Sequence, residues 1–274
     1  KKEEPSVLKQ ESPATRDNRP TEEKKIVVED SLSTIFEQEI GRIKKYSGTV
    51  LIKNSIEKEF SKIHKDTLLK HGQVVKTRER STATIEFNNG DILELYPNTI
   101  ITLDYRKFRS EMRSRIMLKI GRIWTQVKKR LDDQQELSRF SNLEVYTLSA
   151  IAGVRGTAFH VMQGVDGSVR IDVDEGIVEV KGRQKSIRVK KEETSIIPLL
   201  EKPNEAVKTQ ETQTISQWNK DCEKNLKENA EMIAEKLIEV IKQGDQNFES
   251  VGNKVNGIAN TLQEIVEKKE EPAS

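Results

Sequence analysis

The chain has 274 residues, 34% hydrophobic and 34% charged, and its 47 basic and 45 acidic side chains leave a net charge of +2. So polar a composition predicts a core smaller than the chain, with solvated segments around it. The near balance of charge, without a basic stripe, argues against nucleic acid as a partner. A single cysteine, Cys222, excludes an internal disulfide and a cysteine-rich metal site. His64, His71 and His160 stand far apart in sequence, without metal-ligand spacing. No apolar run reaches the roughly 18 residues of a membrane span. The chain opens on Lys1 and not on methionine, as a processed or trimmed chain does, so the lack of a signal peptide is no evidence for the cytoplasm.

Residues 1–30 are rich in Lys, Glu, Pro and Ser and hold almost nothing apolar before Ile26-Val27-Val28, the composition of a disordered arm or tether. From 31 to 200 the pattern becomes that of strands. Gly48–Asn54 is short and β-branched, and in Ser81–Phe87 the residues Ala83, Ile85 and Phe87 share one face. Asn88–Asp91 supplies turn residues that tolerate positive φ, and Ile92–Tyr96 returns with the same period. Pro97-Asn98 turns again into Thr99–Tyr105, which predicts a three-stranded meander. Ile116, Leu118 and Ile120 alternate until Gly121 interrupts them, as at a bulge or corner. Val169, Ile171 and Val173 alternate strictly, Glu175-Gly176 turns, and Val178 and Val180 resume. Short strands with no helix pattern between them predict an all-β sandwich, barrel or solenoid-like roll, and exclude a parallel α/β fold.

Residues 201–214 read as a linker around Lys202-Pro203-Asn204. The pattern over 215–268 predicts an amphipathic helix or helical hairpin, with 269–274 a disordered tail. Ile215, Trp218, Cys222, Leu226, Ala230, Ile233, Leu237 and Ile241 recur at spacings of three or four, and Phe248, Val251, Val255, Ile258 and Leu262 continue the seam beyond Gly244-Asp245. Such a seam must be covered by the β domain, by a second copy of the chain or by another protein. Leu226, Ile233, Leu237, Phe248, Val251, Val255, Ile258 and Leu262 are the partner-binding candidates.

The stretch AGVRGTAFHV, Ala152–Val161, sets Arg155 between Gly153 and Gly156. It is not a phosphate loop, because no Lys follows and the chain continues as a strand, and it lacks the third glycine and helix of a dinucleotide fingerprint. Arg155 offers five donors in a rigid fork, suited either to tying down a structural corner or to a ligand. Trp124, Tyr96 and Tyr105 suit either the core or stacking on sugar rings. No carboxylate pair, nucleophile and base, or metal cluster is singled out, so neither an enzyme nor a cofactor is expected.

These motifs resemble the FecR family, the periplasmic domain of bacterial iron-transport signal transducers and of stand-alone envelope proteins. The resemblance runs from about Ile40 to Leu200. It rests on Gly72 and Thr77 in KHGQVVKT, on ATIEFNNGDILELYPNTIITL, on Gly121 in LKIGRIWTQV, on Ala150, Gly153, Val154, Arg155, Gly156, Thr157, Phe159 and Val161, and on Val173, Glu175, Gly176, Val178 and Val180. The family often has Thr-Pro where this chain has Thr147-Leu148, and its full transducers carry an N-terminal sigma-binding segment and a membrane helix that are not present here. A heptad-like helix stands where transducers end in a small α/β subdomain. The resemblance implies a β-rich, extracytoplasmic, non-enzymatic binding protein, periplasmic and tethered through its N-terminus like a lipoprotein. Its partners would be another envelope protein, itself, a carbohydrate or an outer-membrane receptor. The alternative it implies is a sensor that regulates an extracytoplasmic sigma factor or iron uptake.

Overall fold

The computed structural model describes residues 39–54, 57, 59–108, 111–128, 143–154 and 156–243. Seventeen strands run β1 (Glu39–Ser47), β2 (Val50–Lys53), β3 (Ser61–Lys62), β4 (Leu68–Lys70), β5 (Val74–Thr77), β6 (Thr82–Phe87), β7 (Ile92–Leu95), β8 (Ile100–Phe108) and β9 (Glu111–Gln126). They continue as β10 (Leu143–Tyr146), β11 (Ala150–Val154), β12 (Ala158–Gln163), β13 (Val169–Glu175), β14 (Ile177–Gly182), β15 (Ser186–Lys190), β16 (Glu193–Ile197) and β17 (Val207–Lys208), before helix α1 (Ile215–Gln243).

Two hydrogen-bonded sheets share β9. Sheet I has the order β4-β1-β6-β7-β9-β12-β13-β16-β17. Sheet II has the order β3-β2-β5-β8-β9-β10-β11-β14-β15. The pairings are antiparallel except β9 with β10. One core lies against both sheets: Ile85, Leu93, Ile123 and Phe159 of sheet I and Ile101, Leu118, Val145 and Val180 of sheet II belong to a single buried cluster. The alternating apolar residues of each strand supply that face.

Sheet membership explains Gly121. The N-terminal part of β9 pairs with β8 and β10 in sheet II, and Gly121–Gln126 pairs with β12 in sheet I. At the changeover Gly121 has φ +98, a region that side chains resist. A Cβ there would stand 2.7 Å from both Asn98 O and Thr99 Cα. Thr99 Oγ1 seals the corner, accepting from Arg122 N and donating to Arg122 O, each at 3.0 Å. Gly121→Ala should therefore lower stability by about 1–3 kcal/mol, read as a lower urea midpoint at unchanged slope.

The expected meander is corrected at its second turn. β6 and β7 pair as anticipated, Ile85 opposite Leu93, through a turn with Gly90 at φ +84. At Asn98, itself at φ +57, the chain crosses to sheet II, and β8 pairs with β5 and β9. A period of two fixes which face of a strand is apolar, and leaves its partner open.

The segment anticipated as a linker is bound to sheet I. It holds β17 and a 3-10 turn, Thr209–Glu211, and β17 pairs with β16. α1 starts after Thr214, whose hydroxyl and carbonyl accept from Gln217 N and Trp218 N. The helix docks through Trp218 and Cys222, which bury against Met162 of β12 with Val165, Ile196 and Ile215 around them. Asn225 Nδ2 donates to Asp166 Oδ2 at 2.8 Å. Asn229, at φ −129 and ψ 24, kinks the helix. The break anticipated at Gly244-Asp245 lies outside the described residues. Among the described residues, no helix is long and apolar enough to cross a membrane.

Candidate functional site

The glycine-bracketed motif sits where the chain passes from β11 in sheet II to β12 in sheet I, beside the return from β13 to β14. Gly156 has φ +58 and Gly176 has φ +83. Thr157 Oγ1 donates to the Ile177 carbonyl at 3.2 Å, and Val127 N donates to the Thr157 carbonyl at 2.9 Å. A Cβ on Gly176 would meet Thr157 Oγ1 at 2.8 Å. Val154, Thr157 and Phe159 are buried, and Gly153 and Gly156 are half-buried. The neighbours of this motif are thus the two crossings between sheets, which it holds together. Arg155 itself lies outside the described residues.

The outward face of sheet I carries a cluster that sequence spacing did not single out. Arg122 and Trp124 on β9 stand beside His160 on β12, with Tyr96 at the end of β7 and Asp174 on β13. The Arg122 guanidinium lies 4.0 Å from the centre of the Tyr96 ring, a cation–π contact. Its Nη2 is 3.3 Å from His160 Nδ1. The same Nη2 is 3.5 Å from Nε2, and because Arg122 can only donate, the ring nitrogen it bonds carries the lone pair. Nε2 faces Asp174 Oδ2 at 3.7 Å, and that oxygen accepts from Trp124 Nε1 at 2.8 Å.

Burial holds the His160 pKa below the usual 6.5, and the Arg122 guanidinium pushes the same way, against Asp174 and Asp172. Below pH 6.5 the unfolded chain takes up a proton that the folded imidazole refuses, so this group destabilises the fold as pH falls below 6.5 towards the folded value. His160→Gln should shrink the gap between urea midpoints measured at about pH 7.5 and about pH 5.5. An unchanged gap contradicts the assignment.

A cleft of about 240 Å³ adjoins this cluster where α1 crosses the corner of β9. Arg122, Met162, Gln163, Cys222, Asn219 and Glu223 are among the residues that line it. Burial pushes the Cys222 thiol up to about 12, which favours its neutral form, and its Sγ lies 3.3 Å from Ser168 Oγ. Among the described residues, no group of three or more His, Cys, Asp or Glu is placed to hold a metal ion.

Of the helix candidates, Ile233 is buried and Leu226 half-buried. The Leu237 side chain, and Phe248, Val251, Val255, Ile258 and Leu262, lie outside the described residues. The seam residues Trp218 and Cys222 are covered by the chain's own sheet I. Of the aromatics, Trp124 and Tyr96 lie on the outward face of sheet I and are both half-buried, and the side chain of Tyr105 lies outside the described residues.

Residues 73–179 match the family model described as FecR protein. Two crystal structures of a candidate anti-sigma factor from Parabacteroides distasonis are similar at 19% and 18% identity, each with a TM-score of 0.38. Each alignment covers 49% of this chain and 58% of that chain, so this chain spans little more than half the length of the solved relative. A likeness at that score carries no argument about fold or function. No curated protein matches. The matched residues hold β5 to β13, the Gly121 corner, the glycine-bracketed crossing and the Arg122–His160 cluster. The chain therefore carries a FecR domain, spanning residues 73–179.

Proposed function

We propose that this chain is a signal-transducing regulator of the FecR type, one that binds proteins outside the cytoplasm and performs no catalysis, in a pathway ending on an extracytoplasmic sigma factor. The observation that carries the reading is the FecR domain over residues 73–179. The arrangement of sheet I supports it. One end presents the Tyr96, Arg122, Trp124, His160 and Asp174 cluster, and the adjoining end is covered by the 207–214 segment and α1. A partner at the first end would meet strands that also hold the helix, which gives a signal a short physical route. The N-terminal residues would serve as the tether, and an outer-membrane receptor is the input partner proposed.

A scaffold that assembles through its helix is the second reading. Met232 and Ile238 favour it, being 46% and 48% exposed on α1. Chemical crosslinking in the host, followed by purification of the full chain, separates the two. A receptor or a sigma-regulating protein in the crosslinked product supports signalling. Copies of the chain alone favour the scaffold.

A further inference from the structure

We infer that the cleft between α1 and the β9 corner is a binding site for the C-terminal carboxylate of a partner peptide ending in an aliphatic residue. The inference rests on the reading that the chain binds proteins, and it names the site and the chemistry.

The first observation is a charge without a counter-charge. Among the described residues Arg122 has no carboxylate within ion-pair distance, and its polar contact there is with His160. Its Nε is buried and has no hydrogen-bond partner. The guanidinium keeps its charge, and a carboxylate reaching it where Arg122 lines the cleft would supply the missing counter-charge.

The second observation is the cleft itself. Its volume of about 240 Å³ is below the roughly 300–1,000 Å³ of sites that enclose drug-sized ligands, which suits one terminal residue. Ile120, Met162, Val165 and Ile215 are the apolar residues of its lining, and Asn98 and Asn219 are polar ones. Gln163 is committed elsewhere, accepting from Leu148 N and donating to the Lys119 carbonyl. Glu223 on α1 also lines the cleft, and forms no ion pair with Arg122.

A sugar suits the surroundings poorly. One face of the Tyr96 ring is taken by Arg122, and the Trp124 indole N–H is taken by Asp174. Stacking on these rings, open as an expectation from sequence, would have to displace contacts already made.

The test is a titration of the ¹⁵N-labelled full chain, following the Arg122 Nε–H signal. N-acetyl-leucine should shift it saturably, and N-acetyl-leucinamide, the same molecule without the charge, should not. A tetrapeptide with a free C-terminal leucine should bind more tightly than N-acetyl-leucine if the ligand is a chain end, and equally if a free acid is the natural ligand, which would overturn the peptide assignment. Arg122→Gln should weaken binding at least about tenfold, with Arg122→Lys between the two. Unchanged tryptophan emission in both variants certifies the fold. Equal binding of acid and amide, no saturable shift, or full affinity in Arg122→Gln overturns the inference. Binding by Glu223→Gln alone also overturns it, since Glu223 would then hold the guanidinium in the native chain. The crosslinking result does not depend on this cleft, so a failed titration beside a captured receptor refutes the site and leaves the signalling reading standing.

Discussion

Arg170→Met should lower stability by about 3–5 kcal/mol, the range for removing one partner of a buried ion pair. Arg170 and Asp172 are 2% and 6% exposed, on the face of β13 turned away from the main core. Arg170 Nε donates to Asp172 Oδ1 at 2.8 Å and is 3.1 Å from Oδ2. Its Nη1 donates to the Gln213 carbonyl at 2.6 Å, and its Nη2 to Thr212 Oγ1 at 3.2 Å. Thr194 Oγ1 donates to Asp172 Oδ1 at 2.7 Å and meets Thr209 Oγ1 at 3.1 Å. These bonds tie the approach to α1 onto sheet I. Without the guanidinium, Asp172 is left buried and charged with one hydroxyl as its remaining side-chain partner, and Thr212 and Gln213 lose their bonds to β13. Urea unfolding measures the loss. A red shift of Trp218 emission before global unfolding should report that α1 leaves first. The double variant Arg170→Met with Asp172→Leu should recover much of the stability, because no orphaned charge remains. A single variant within 1 kcal/mol of the native chain would show the pair to be dispensable.

Phe159→Ala should cost about 3–5 kcal/mol, the range for deleting a large aromatic from a core. Phe159 is fully buried and heads the fully buried side chains by volume. It lies on β12, opposite Thr125 of β9 and Val173 of β13, immediately after the glycine-bracketed crossing. Phe159→Leu keeps most of the apolar volume and should lose clearly less. Equal losses in the two variants would mean that apolar volume alone recovers nothing and that the shape of the ring carries the whole contribution at this position.

Much of the β architecture was legible in the sequence because strand faces are written in a period of two. Ala83, Ile85 and Phe87 on β6, and Val169, Ile171 and Val173 on β13, point to the core as their spacing requires. Gly121 and Gly156 were legible as corners because glycine marks backbone that other residues resist, whereas Gly153 lies within β11, paired with Glu144 and Glu179. Pairing between strands was not legible. The same alternation serves sheet I and sheet II, so nothing local tells β8 to leave the sheet of β6 and β7. The burial of the outward residues of β13 was not legible for a related reason. Arg170 and Asp172 stand where a half-exposed strand places solvated side chains, and they are buried by residues some forty positions later.

The candidate site was less legible than the fold. Arg122 and His160 are 38 residues apart and meet only because β9 and β12 pair. Spacing at helical intervals marked Trp218 and Cys222 as a seam, and said nothing about what covers it. Sheet I does so through Met162 and Ile196. The FecR resemblance read from ordered glycines and alternating strands coincides with the matched family over residues 73–179. That domain, and not a catalytic constellation, is what the proposed function rests on.

Transcript profiling of the host with and without this chain tests the signalling proposal most directly. Signalling of the FecR type predicts a change concentrated in the genes of one extracytoplasmic sigma factor, restored when the native chain is supplied again. An unchanged profile in cells that lack the chain, under conditions in which they normally make it, would contradict the proposal.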